Sequence, residues 1–156
     1  MFVLISVLSV ISSCSKGRPD FTGTWVESDG QPIPGASNDP DLEPRMIVEQ
    51  DDTSLSIQTM VISKSNPSRK SSLGPSIVNF DGNEKHNRDG SVSKSYWNGN
   101  FLILESTRRI SGGATSTITN TWSLDSSGHL VIDHLLKDSN NPKPAHMRST
   151  MSRVQR

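Results

Sequence analysis

The sequence predicts an all-β chain: one up-and-down antiparallel β-barrel of about eight strands, with a two-sheet β-sandwich as the alternative. Three observations carry that expectation. Short apolar clusters recur at regular spacing with a period of two, most cleanly over 116–124, where Ile118, Trp122 and Leu124 alternate with Thr117, Thr119 and Thr121. Turn signals fall between the clusters, at Asp81-Gly82, Asp89-Gly90, Asn98-Gly99, Gly112-Gly113 and Asp125-Ser126-Ser127-Gly128. No segment carries the 3.6-residue period of an amphipathic helix. Closing such a meander on itself removes its exposed edges, which favours the barrel over the sandwich.

The elements follow in order. Residues 21–26 form the first strand, with Phe21, Gly23 and Trp25 on one face. Residues 28–44 hold Pro32, Pro34, Pro40, Pro44, Gly30 and Gly35 and read as a long loop. Strands are expected at 45–50 and 54–63, joined by a tight turn at Asp51-Asp52. Residues 64–75, with Pro67, Gly74 and Pro75, read as a second loop, and 76–81 as a further strand. Strands 91–97 and 101–109 flank Asn98-Gly99-Asn100, a strong hairpin signal because both turn residues tolerate positive φ. Strands 116–124, 129–136 and 145–154 complete the chain, the last after a loop at Pro142 and Pro144.

At 156 residues there is room for one domain and a short tail. Only 31% of residues are hydrophobic, but the net charge is zero, so charge-driven disorder is disfavoured. Neutrality also excludes a nucleic-acid partner, since phosphate binding needs a basic excess. The single cysteine, Cys14, excludes an internal disulfide. Residues 2–11 are an apolar run of about ten residues, the length of a signal h-region and too short to span a membrane. The run ends in Ile11-Ser12-Ser13-Cys14, which resembles the bacterial lipobox: an aliphatic residue, two small ones, then cysteine. That resemblance implies a lipoprotein signal peptide over 1–14, acylation of Cys14 as the membrane anchor, a tether over 15–20 and a domain over 21–156. With Ser15 rather than Asp beside the cysteine, it further implies the outer membrane, facing the periplasm.

Gly23-Thr24-Trp25 resembles the first-strand Gly-x-Trp motif of lipocalins and related calycins. In that superfamily the tryptophan closes the barrel floor beneath an arginine of the last strand. The resemblance therefore implies a floor built from Gly23, Trp25 and either Arg153 or Arg148. Arg153 is preferred, because it shares strand parity with Met147 and Met151. Thr119, Trp122-Ser123-Leu124 and Gly128-His129-Leu130-Val131-Ile132 are also similar to segments of bacterial secreted lipocalin-like proteins, so the likeness spans 21–156.

No catalytic or metal pattern emerges. His129 and His134 are five apart, so one strand points them to opposite faces and they cannot share a metal. No nucleophile elbow and no phosphate-cradling glycine loop is present. The basic residues Lys64, Arg69 and Lys70 read as a solvated loop. Two functions remain, neither enzymatic and neither needing a cofactor. In one, a monomeric barrel binds a small hydrophobic molecule against Trp25, Tyr96 or Trp97, Phe101, Ile118 and Trp122, with His134, Glu105 or Lys94 projecting inward to orient it. In the other, the barrel is filled by its own side chains and its loops serve an envelope interaction.

Overall fold

The computed structural model describes residues 17–28 and 39–154. Cys14 and most of the proline-rich loop lie outside the described residues. The strands are β1 (Gly23–Glu27), β2 (Leu42–Gln50), β3 (Ser54–Ser63), β4 (Lys70–Asn79), β5 (Lys85–His86), β6 (Val92–Asn98), β7 (Phe101–Arg109), β8 (Thr115–Leu124), β9 (Leu130–Asp138) and β10 (Asn141–Arg153). A 3-10 turn at Ser111–Gly113 is the one helical element among the described residues.

All ten strands join one antiparallel sheet in the order β4-β3-β2-β1-β10-β9-β8-β7-β6-β5. This is an up-and-down meander whose first and last strands pair, Trp25 facing Arg153. Its two free edges, β4 and β5, are not hydrogen-bonded to each other, so the ladder is a curled sheet open along one seam rather than a closed barrel of eight strands.

The curl is driven by a single core. Phe21, Trp25, Met46, Val48, Leu55, Leu102, Trp122, Leu130, Ile132 and Met151 form one buried cluster drawn from strands on both sides of β1. Complete burial of a leucine such as Leu55 or Leu102 contributes about 1.5–3 kcal/mol. Register arranges the inner face in layers. Trp97, Leu102, Trp122 and Ile132 stand in line as one apolar layer. The next is Ser95, Leu104, Asn120, His134 and Met147, and above it come Ser93, Ser106, Ile118, Leu136 and Ala145. The floor is therefore apolar, the middle polar, and the rim mixed.

Three departures from the sequence reading have local causes. Residues 70–75 are strand rather than loop, because their outer edge is free and tolerates Pro75, which has no N–H to donate. The register with β3 shifts between Ile57 and Thr59, at the level of Gly74 and Pro75, absorbing the irregularity as a bulge. Pro142 and Pro144 likewise fall inside β10, where the pairing with β9 jumps from Asn141 to Ala145. In the β6–β7 hairpin Asn98 pairs with Phe101, so the loop is Gly99-Asn100 and only Gly99 has positive φ, at 60°. Glycine at the first loop position is what a type II′ turn requires, and the expected Asn-Gly pairing is displaced by one residue.

Candidate functional site

The seam is where the molecule offers a concave site, and its origin is compositional. Residues 81–91 contain no apolar side chain, so nothing in that segment gains from burial. They turn instead. Asp81 Oδ1 accepts from the Asn83 N–H at 3.0 Å, and Asp89 Oδ1 from the Ser91 N–H at 3.0 Å and the Ser91 hydroxyl at 2.7 Å. These bonds hold both carboxyls below their ordinary range, through the Asn83 N–H for Asp81 and the Ser91 hydroxyl for Asp89. Only the two residues of β5 remain to span the space between β4 and β6.

At the floor end the seam is stitched shut. The Ser95 hydroxyl donates to the Asn79 carbonyl at 2.5 Å, and the Gly82 N–H donates to the Ser95 carbonyl at 2.9 Å. Phe80 sets its ring edge-on to Trp97, centroids 5.5 Å apart. Beyond the stitch the edges part and leave a cleft of about 690 Å3. One wall is β4 from Pro75 to Asn79, the other is Asn83 to Lys85 with Ser93 and Ser95, and Leu104, Ser106 and Asn120 form the back. Lys94 and Glu105 do not project inward as expected: they pair at 2.9 Å on the outer face of the same two strands, a bond that raises the lysine's pKa. Tyr96 also donates to Glu105, at 3.3 Å.

Behind the back wall lies a short relay. His134 Nδ1 is 2.8 Å from Asn120 Oδ1, and His134 Nε2 is 3.5 Å from Ser149 Oγ. A carboxamide oxygen only accepts, so Nδ1 carries the proton and Nε2 is left as acceptor for the Ser149 hydroxyl. Burial pushes the His134 pKa below its ordinary 6.5, opposed by Asp133 and reinforced by His146. In the unfolded chain His134 binds its proton at a higher pH than in the fold. Its stability contribution is therefore full above about pH 6.5 and is lost as the pH falls below that value. The denaturation midpoint is expected to drop between about pH 7 and pH 5, with a smaller drop in His134→Gln. Equal drops in the two proteins would remove His134 from the acid response.

The floor is a second constellation. The Arg153 guanidinium lies over the Trp25 ring, 4.7 Å from its centroid. A Cβ at Gly23 would stand 3.1 Å from Arg153 Nε, and Gly23 has φ +153°, so space and backbone both ask for glycine. Arg148 takes no part. It forks onto Asp133, at 2.6 and 2.9 Å, on the outer face where its even-numbered position points it.

The residues expected to line an interior pocket do not converge on one. Trp97 and Trp122 are spent on the core: Phe21 stacks on Trp97 at 5.8 Å and meets Trp122 edge-on at the same distance. Phe101 is 49% exposed on the outer face beside the hairpin turn. Ile118 faces inward but sits at the rim, 40% exposed, opposite Leu136. His134 stands behind Asn120 and reaches the cleft only through it. The cleft's own residues, Ser76, Ser95, Ser106, Leu104 and Asn120, were missed. The usable signal was the in-register polar layer directly above Leu102 and Trp122, together with the apolar-free segment 81–91. Among the described residues no group of three or more His, Cys, Asp or Glu side chains could hold a metal ion.

No protein-family model matches the chain, and no curated protein matches it in sequence.

Proposed function

We propose that this is a non-enzymatic envelope lipoprotein of lipocalin-like type, anchored through acylated Cys14 at the outer membrane, that binds a small amphipathic molecule in the seam cleft. The observation that carries this reading is the cleft itself. Its volume of about 690 Å3 lies within the roughly 300–1,000 Å3 usual for small-molecule sites. Aliphatic Val78 and Leu104 alternate on its lining with serine hydroxyls and carboxamides. Binding at the seam replaces the axial pocket suggested by the sequence, because Phe21, Trp25, Trp97 and Trp122 fill the floor. That filled floor also favours the second reading, an envelope interaction module that acts through its loops.

One measurement tests the anchor that both readings share, and a second separates them. Cys14→Ser is expected to abolish lipid labelling and release the protein from the membrane fraction, since several acyl chains at about 0.8 kcal/mol per buried CH2 anchor firmly. Unchanged membrane association would overturn the anchor. The released protein is then titrated with the neutral dye Nile red. Saturable binding is expected, and Ser106→Phe, which fills the back of the cleft, is expected to abolish it. Absence of saturation below about millimolar dye, where binding is worth only about 4 kcal/mol, would leave the interaction module.

A further inference from the structure

We propose that the cleft selects an uncharged, carbonyl-headed aliphatic molecule (an amide or ester), with Asn120 as the residue that recognises its oxygen and His134 as the residue that positions Asn120. This rests on the cleft being a binding site, as argued above.

The recognition follows from which atoms are already committed. Asn120 Oδ1 is held by His134 Nδ1 at 2.8 Å, and His134 is itself backed by Ser149 on the neighbouring strand. The carboxamide is thereby fixed in one of its two orientations. The group it offers to the cleft is the N–H2, two donors that make no hydrogen bond among the described residues. Donors that face the half-buried back of a cleft are matched by an acceptor on the ligand. Around Asn120 the lining is short and aliphatic or hydroxylic: Leu104 opposite it in register, Val78 on the facing strand, and the Ser76 and Ser106 hydroxyls.

Charge then narrows the head group. The lining carries two carboxylates, Asp81 and Glu84, against one ammonium group, Lys85, while Lys94 and Glu105, which also border it, turn to the outer face and pair with each other. A ligand carboxylate would meet Asp81 and Glu84 with only Lys85 to answer them. A neutral carbonyl keeps the acceptor and avoids that repulsion.

The test uses the full-length gene product carrying Cys14→Ser, in the processed form the cell yields. Octanamide and octanoate compete for bound Nile red, so chain length is constant and only the head differs. Octanamide is expected to bind at least about tenfold more tightly than octanoate, because Asp81 and Glu84 repel the carboxylate. His134→Leu is expected to weaken octanamide about tenfold, the effect of one lost hydrogen bond, and His134→Gln, whose amide can still donate to Asn120 Oδ1, to restore it. Asn120→Leu, which removes the donors without adding a charge, is expected to weaken octanamide likewise. Octanoate binding as tightly as octanamide, or an octanamide affinity unchanged in Asn120→Leu, would overturn the assignment. Failure of Nile red to bind at all would instead sink the cleft as a site.

Discussion

Trp25→Ala is expected to cost about 3–5 kcal/mol of folding stability, among the largest effects of any single truncation in this protein. Trp25 has no exposed surface and lies at the meeting of the first and last strands. Its Nε1–H donates to the Phe21 carbonyl at 2.9 Å, and Arg153 covers its face. Truncation opens a cavity, leaves a buried carbonyl without its donor and exposes the underside of a guanidinium that also donates to the Asp20 carbonyl at 3.1 Å. Arg153→Ala alone is expected to cost less, and a double-mutant cycle between the two to return a coupling of about 0.5–2 kcal/mol from the cation–π contact. Additive losses by chemical denaturation would mean that Arg153 merely lies near the ring and does not bind it.

Phe21→Ala is expected to cost a similar 3–5 kcal/mol, although Phe21 precedes the first strand. The ring is completely buried between Trp97 and Trp122. Its backbone is clamped too: the Phe21 N–H donates to Gln50 Oε1 at 3.0 Å, while Gln50 Nε2 donates to the Pro19 carbonyl at 3.1 Å. Phe21, read from the sequence as the first residue of the first strand, thus lies ahead of β1 as a plug in the floor, seven residues after Cys14. Loss of the ring is expected to lower the denaturation midpoint and shift tryptophan emission to the red as Trp97 and Trp122 become wet. Thr22→Ala, which loses a hydroxyl that accepts from the exposed Gln50 N–H and bonds the Asp20 carboxylate, serves as the mild control. A Phe21→Ala protein as stable as that control would show that the plug is dispensable.

The alternation of apolar residues located most of the strands. Residues 54–63 were legible to their ends, because Leu55 and Ile57 alternate with serines and Asp51 supplies a turn whose carboxylate accepts the Thr53 and Ser54 N–H groups. Parity was equally informative at the floor, where odd-numbered Arg153 reaches Trp25 and even-numbered Arg148 does not. Parity alone could not tell inside from solvent near the open end. Ile118 and Trp122 share a face of β8, yet one is 40% exposed and the other 4%. The difference is height above the floor, which depends on how neighbouring strands are staggered.

What the sequence determined by itself was therefore local: most strands and turns, the inward face of β1, β8 and β10, and a glycine where Arg153 would meet any side chain. The tertiary structure alone decided the seam and the site within it. Whether a meander closes depends on the last gap between β4 and β6, the accumulated result of every strand's length, twist and stagger, and a two-residue β5 settles it against closure. The donor face of Asn120 was beyond local reading for the same reason. It is set by a histidine fourteen residues away in sequence and directly opposite across the β8–β9 ladder, and only the register of that ladder brings the two side chains together.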